Sequence, residues 1–144
     1  MASKHKMIIS HPNSKSTGSR LIVSITPATD EKEGCLMLRL QKQVSDYIWD
    51  IDNESYIDLN QIDIAKFIAV MRGYEESIDD GKGIWHRTDE SYCHACFRHR
   101  IEPIPGYALS VDNGNGPIQI FLSNYEAISL CEVMQVALYH VVFG

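Results

Sequence analysis

Cysteine is sparse, with only Cys35, Cys93, Cys96 and Cys131 in 144 residues. So few thiols at such irregular spacing exclude a secreted disulfide framework, and the expected compartment is reducing and intracellular, either cytoplasmic or nucleoid and nuclear. Long apolar runs are also missing. Unbroken stretches stop after a few residues, far short of the roughly 20 that cross a bilayer, so neither a transmembrane helix nor a membrane partner is expected. The N-terminal stretch lacks the apolar segment of a signal peptide, and Ala2 instead of glycine excludes myristoylation. With 44% hydrophobic and 22% charged residues, bulk disorder, collagen and coiled coil are excluded as well. A chain of this size holds a core without help from metal or disulfide.

Charge of one sign is missing from two segments. Residues 1–29 carry Lys4, Lys6, Lys15 and Arg20 and no acid, whereas residues 44–63 carry Asp46, Asp50, Asp52, Glu54, Asp58 and Asp63 and no base. The stretch 81–101 is basic again, with Lys82, Arg87, Arg98 and Arg100 against Asp89 and Glu90. The formal net charge of −6 argues against a generic cationic coat for nucleic acid. Segregated patches, however, are what steer a polyanion. Residues 1–18 are expected to form a basic, poorly ordered arm, followed by a single domain over 19–144.

That domain reads as a duplication. Two amphipathic helices are predicted, one starting at Asn60 and running to Gly73, the other starting at Ser123 and running toward Phe143. An offset of 63 residues superposes them. Asn60 then meets Ser123, both good N-caps, and Asp63 meets Glu126 at the third helical position, where an acid favours the helix start. The apolar stripe Ile64, Phe67, Ile68 and Met71 falls on Ala127, Leu130, Cys131 and Met134, the spacing of a core-facing helix.

Strands precede each helix. Tyr107–Val111 and Ile118–Leu122 flank Asp112-Asn113-Gly114-Asn115-Gly116, a hairpin with strong turn chemistry. Tyr47–Ile51 and Tyr56–Leu59 flank Asp52-Asn53-Glu54 as a tighter version. Upstream lie alternating Leu21, Val23, Ile25 and Leu36, Leu38, Leu40, with Ile84–Thr88 and Ala95–Glu102 in the matching places. The fold class is therefore α+β: two ββββα repeats, 19–78 and 83–143, joined through the Asp- and Gly-rich residues 79–83.

This layout resembles the whirly group: plant Whirly proteins, Pur-repeat proteins and the transcriptional coactivator positive cofactor four. The resemblance covers residues 19–143 and lies in the tandem ββββα topology; the lysine-rich DNA-contact motif of Whirly proteins is absent. It implies curved antiparallel sheets, two packed helices, binding of single-stranded nucleic acid (DNA favoured over RNA), and a possible homo-oligomer.

Candidate contacts follow from strand faces, since residues two apart share a face. His94, Cys96, Arg98 and Arg100 share one face opposite Ala95 and Phe97. Met37, Arg39 and Gln41 oppose the leucines, and Arg20 opposes Leu21 and Val23. A single strand is held where cations track phosphates and aromatic rings stack bases. The candidate residues are Arg20, Arg39, Lys42, Trp49, Trp85, Arg87, Arg98 and Arg100, with Trp85 and Arg87 sharing a face. Tyr47 and Tyr107 stand behind the tryptophans as further stackers.

Cys93-His94-Ala95-Cys96 has the look of a zinc string, with His86 and His99 nearby. On a regular strand, though, Cys93 and Cys96 point to opposite faces and converge only if a knuckle turns the chain there. Neither metal nor cofactor is expected. The Gly-x-Gly of residues 114–116 precedes a strand, whereas phosphate-cradling loops precede helices. No catalytic arrangement is found, and a binding protein is expected rather than an enzyme. The rival expectation is a protein–protein adaptor or inhibitor that uses its acidic hairpin on a basic partner.

Overall fold

Local sequence dictates both helix starts. The computed structural model of the protein describes residues 6–144. In it, α1 (Gln61–Met71) opens with a full capping box: Asn60 accepts from the Asp63 backbone, and Asp63 accepts from the Asn60 backbone. α2 (Asn124–Phe143) repeats the device with Ser123 and Glu126. Both use side-chain acceptors for amides that have no partner within the helix. The far end of α2 is closed by the chain itself. Ala28 N–H donates to the His140 carbonyl (2.9 Å) and Gly34 N–H to that of Val141 (3.2 Å). A Cβ on Gly34 would lie 2.8 Å from Val141 Cα, so this close approach requires glycine.

The strands form two antiparallel sheets. The first contains β1 (Lys6–His11), β2 (Ser19–Thr26), β3 (Cys35–Ser45), β4 (Ile48–Trp49) and β5 (Ser55–Leu59). β1 pairs with β2 and β2 with β3; β4 and β5 share the remaining edge of the long β3. The second sheet runs β6 (Ile84–Arg87), β7 (Tyr92–Arg100), β8 (Gly106–Asp112) and β9 (Ile118–Ser123) in sequence order. Leu21, Leu36, Leu38, Leu40, Ile57, Leu59, Ala95, Leu109 and Val111 are wholly buried. They alternate with the outward residues, as a half-buried sheet requires.

One core joins the repeats. α1 and α2 pack on each other; α1 also packs against β7 of the other sheet, and α2 against β2. Of the expected stripes, Ile64, Phe67, Ile68, Ala127, Leu130, Cys131 and Met134 are buried, and Met71 packs at the edge. α2 has 20 residues, and its best 18-residue window has a mean hydropathy of 1.3. By length and composition alone it could cross a membrane, contrary to the expectation from unbroken apolar runs. Here its inward face belongs to the shared core.

Three sequence expectations need correction. The expected arm is ordered strand from Lys6 to His11, because Met7 and Ile9 pair with Val23 and Leu21 in a ladder that a local reading cannot see. Residues 1–5, including Lys4, lie outside the described residues. Tyr47–Ile51 is not a full strand: β4 has two residues, since β5 already takes the Leu36–Leu40 stretch of that edge. The first repeat therefore starts at β1, and its strands β1, β2, β3 and β5 match β6, β7, β8 and β9. The match of β5 with β9 is the one expected from the sequence, whereas the three strands before it shift by one.

Candidate nucleic-acid interface

The outward rows of the two sheets differ in charge balance. On the first sheet, Arg20 lies opposite Gln41 and Arg39 opposite Tyr56. Arg20 Nε donates to Gln41 Oε1 (2.7 Å), Gln41 Nε2 donates to Glu54 Oε2 (2.7 Å), and Arg39 Nη1 lies 3.9 Å from Glu54 Oε1. Trp49 sits under the Arg20 guanidinium at 5.1 Å. Burial and the neighbouring Arg39 lower the Arg20 pKa, and Glu54 opposes them. Arg39 is thus paired with Glu54 directly, and Arg20 is linked to the same carboxylate only through Gln41. Lys42 falls on the other side, because it pairs with Ser19 one step out of phase with the Arg20–Gln41 pair.

The second sheet presents a different surface. Trp85 pairs with His94, Arg87 with Tyr92, Cys96 with Ser110, and Arg98 with Ala108, which in turn faces Phe121. The His94 imidazole stacks on the Trp85 indole at 3.7 Å and 13°, and the Arg87 guanidinium lies 4.7 Å from the indole centroid. Both rings are held by the Lys82 carbonyl, which accepts from Trp85 Nε1 (3.2 Å) and bonds His94 Nε2 (2.9 Å). Gly83 allows this approach: its φ is +75°, and a Cβ there would fall 2.2 Å from the Ala95 oxygen. Farther along the face, Arg100 covers Phe121 at 4.1 Å, and its Nε is buried with no acceptor. Among the described residues, Arg87, Arg98 and Arg100 form no salt bridge to an acid.

The structure therefore brings Trp85, Arg87, Arg98 and Arg100 onto one open face, sets Arg20, Arg39 and Trp49 on another, and separates Lys42 from both. Tyr47 is exposed at the tip of the acidic hairpin, whereas Tyr107 is buried, with its hydroxyl donating to the Met71 carbonyl. Sequence reading missed Phe121 and the ring–ring role of His94. Phe121 alternates with buried Ile120 and Leu122, a signal that period-two counting could have found. One face of the Trp85 indole is already taken by His94.

Cys93 and Cys96 follow the strand geometry expected of them. Cys93 receives a hydrogen bond from Asn113 Nδ2 (3.0 Å), while Cys96 lies in the outward row with Ser110. Burial pushes both thiols above the ordinary thiol value. Among the described residues, no three His, Cys, Asp or Glu side chains converge on a metal position.

No family model and no curated protein matches this chain. Solved structures do. WHY1 from Arabidopsis thaliana superposes with a TM-score of 0.70 at 16% identity, covering 99% of this chain and 89% of that one. A guide-RNA-binding protein complex bound to a guide RNA gives 0.68 at 18% identity, with 96% and 92% covered. The plant transcriptional regulator PBF-2 gives 0.64 at 19% identity, with 94% and 82% covered. At this level of identity the likeness is one of fold: two packed ββββα repeats in a whirly-like arrangement.

Proposed function

We propose that this chain binds single-stranded nucleic acid on the open face of its second sheet. The observation that carries the reading is the row of arginines without carboxylate partners set among exposed aromatic rings. Arg98 and Arg100 offer cations to phosphates, Phe121 and Trp85 offer surfaces to bases, and stacking is tolerant of sequence. Similar folds in a Whirly protein and in a complex bound to guide RNA support a nucleic-acid ligand. DNA is favoured over RNA, with a role in replication, recombination, repair or transcription inside the cell, as a binding protein rather than an enzyme. The acidic hairpin, with no base over 44–63, would turn away from the strand.

The test is fluorescence anisotropy with labelled oligo-dT and oligo-U at several salt concentrations. Arg98→Ala with Arg100→Ala should weaken binding about tenfold, equivalent to about 1.4 kcal/mol. The slope of log affinity against log salt should fall by about 1.4, at roughly 0.7 per phosphate contact for single strands. A double variant that binds like the parent removes these arginines from the site.

A second reading has its own observation. Val44, Tyr47, Ile48 and Ile51 are exposed around Asp46, Asp50 and Asp52. An apolar tip ringed by acids suits a basic protein partner, and such an adaptor would show no affinity for either oligonucleotide.

A further inference from the structure

We infer that His86 and Asp63 form a positioning clasp. The capping carboxylate of the first repeat's helix fixes the edge strand on which the second repeat displays Trp85 and Arg87. This rests on the binding reading above and adds to it residues that touch no nucleic acid.

β6 is a weak element by itself. It has four residues, lies at the sheet edge and pairs only with β7. Alternation sends Trp85 and Arg87 outward and Ile84 and His86 inward. Ile84 is buried in the core at 4% exposure. Beyond it, the inward anchor is His86 Nε2, 2.8 Å from Asp63 Oδ2. Asp63 is itself fixed, being only 6% exposed and bonded through the same oxygen to the Asn60 amide (3.1 Å). The helix start therefore supplies a rigid, buried acceptor beneath the strand. The Lys82 carbonyl holds the two rings from the front, and Asp63 holds the strand from behind.

The other half of the molecule repeats the arrangement. His11 ends β1, the edge strand of the first sheet, and its Nε2 lies 2.7 Å from Glu126 Oε2, the matching acid of α2. Each edge strand is thus tied to the helix start of the opposite repeat. A surface ion pair formed by chance would not recur at the equivalent place. Only the His86 clasp lies behind the Trp85 station, so the His11 clasp is a built-in control.

The experiment measures labelled oligo-dT affinity and melting temperature for the parent, Trp85→Ala, His86→Ala, the double variant and His11→Ala. His86→Ala should weaken binding about fivefold in the parent and leave it unchanged in the Trp85→Ala background, the non-additivity of groups acting through one another. His11→Ala should lower the melt to a similar extent yet keep the affinity. His86→Gln, which retains an N–H donor toward Asp63, should recover most of the loss. If His86→Ala does not fold, His86→Leu serves instead, since it fills the space but offers no donor toward Asp63, and the same dependence on Trp85 is expected. Additive losses from His86 and Trp85, or an equal loss from His11→Ala, overturn the clasp while leaving the binding face intact. An unchanged affinity in Trp85→Ala overturns the clasp, and the binding face then stands or falls on the Arg98 and Arg100 variants.

Discussion

Phe67 of α1 stacks on Phe97 of β7, with ring centroids 4.8 Å apart and planes 27° from parallel. The contact runs from the helix of one repeat to the sheet of the other. Phe97 continues the stack to Tyr107 at 5.5 Å. Both phenylalanines are buried to within 1%. Neither repeat therefore owns a complete core, and the duplication is one of topology rather than of independent units.

Unfolding should accordingly be a single event. Trp49 sits in the first sheet and Trp85 in the second, so each reports its own repeat. Urea unfolding of Trp49→Phe and Trp85→Phe variants, followed by tryptophan fluorescence, should give coincident midpoints. Phe97→Ala should lower stability by about 3–5 kcal/mol and move both midpoints together. A variant in which one sheet melts ahead of the other would mean that the repeats hold separate cores.

Acid stability should depend on Glu126. Burial by itself would raise this carboxyl, but the Ser123 amide, the His11 ring and the Ser123 hydroxyl together bring it below the ordinary carboxylate value. A folded pKa below the unfolded one means stability that is present above the unfolded value and lost as pH falls through the folded one. Glu126→Gln should thus lower the melting temperature at pH 7 and flatten its decline between about pH 5 and pH 3. A variant whose melt declines with acid as steeply as the parent's would show that Glu126 contributes nothing to that limb.

How much of this was legible follows from where each signal resides. Both helix starts could be read because a capping box is complete within four residues. The β8–β9 hairpin could be read because Asp112 to Gly116 carries its own turn chemistry. β1 could not: its lysine and polar ends look like an arm, and its order comes from pairing with β2. The stub β4 depends on β5 competing for the same edge of β3. At the candidate site, Trp85 and Arg87 were visible as neighbours two apart. Charge balance was not, because Glu54 reaches Arg39 and Gln41 only through sheet pairing. The His86–Asp63 clasp crosses between repeats and leaves no local trace.

That difference in charge balance decides which sheet should respond to a ligand. On the first sheet, Glu54 and Gln41 already engage Arg39 and Arg20, and the Arg20 guanidinium covers Trp49. A phosphate approaching there would have to compete with a carboxylate already in place. On the second sheet, Asp112 shares the outward row beside His94, but among the described residues Arg87, Arg98 and Arg100 form no salt bridge with it or any other acid, and Trp85 is 45% exposed. The chain has two tryptophans, so each can be silenced in turn. Base stacking on an indole quenches its fluorescence, and Trp85→Phe keeps an aromatic surface while removing the signal. Titration with unlabelled oligo-dT should therefore quench the Trp49→Phe protein and leave the emission of Trp85→Phe nearly constant. Affinity measured separately by anisotropy should change less than about threefold in either variant, since a phenyl ring still stacks a base. Quenching that survives in Trp85→Phe and vanishes in Trp49→Phe would move the site to the first sheet, and Arg39 would then have to exchange the Glu54 carboxylate for phosphate.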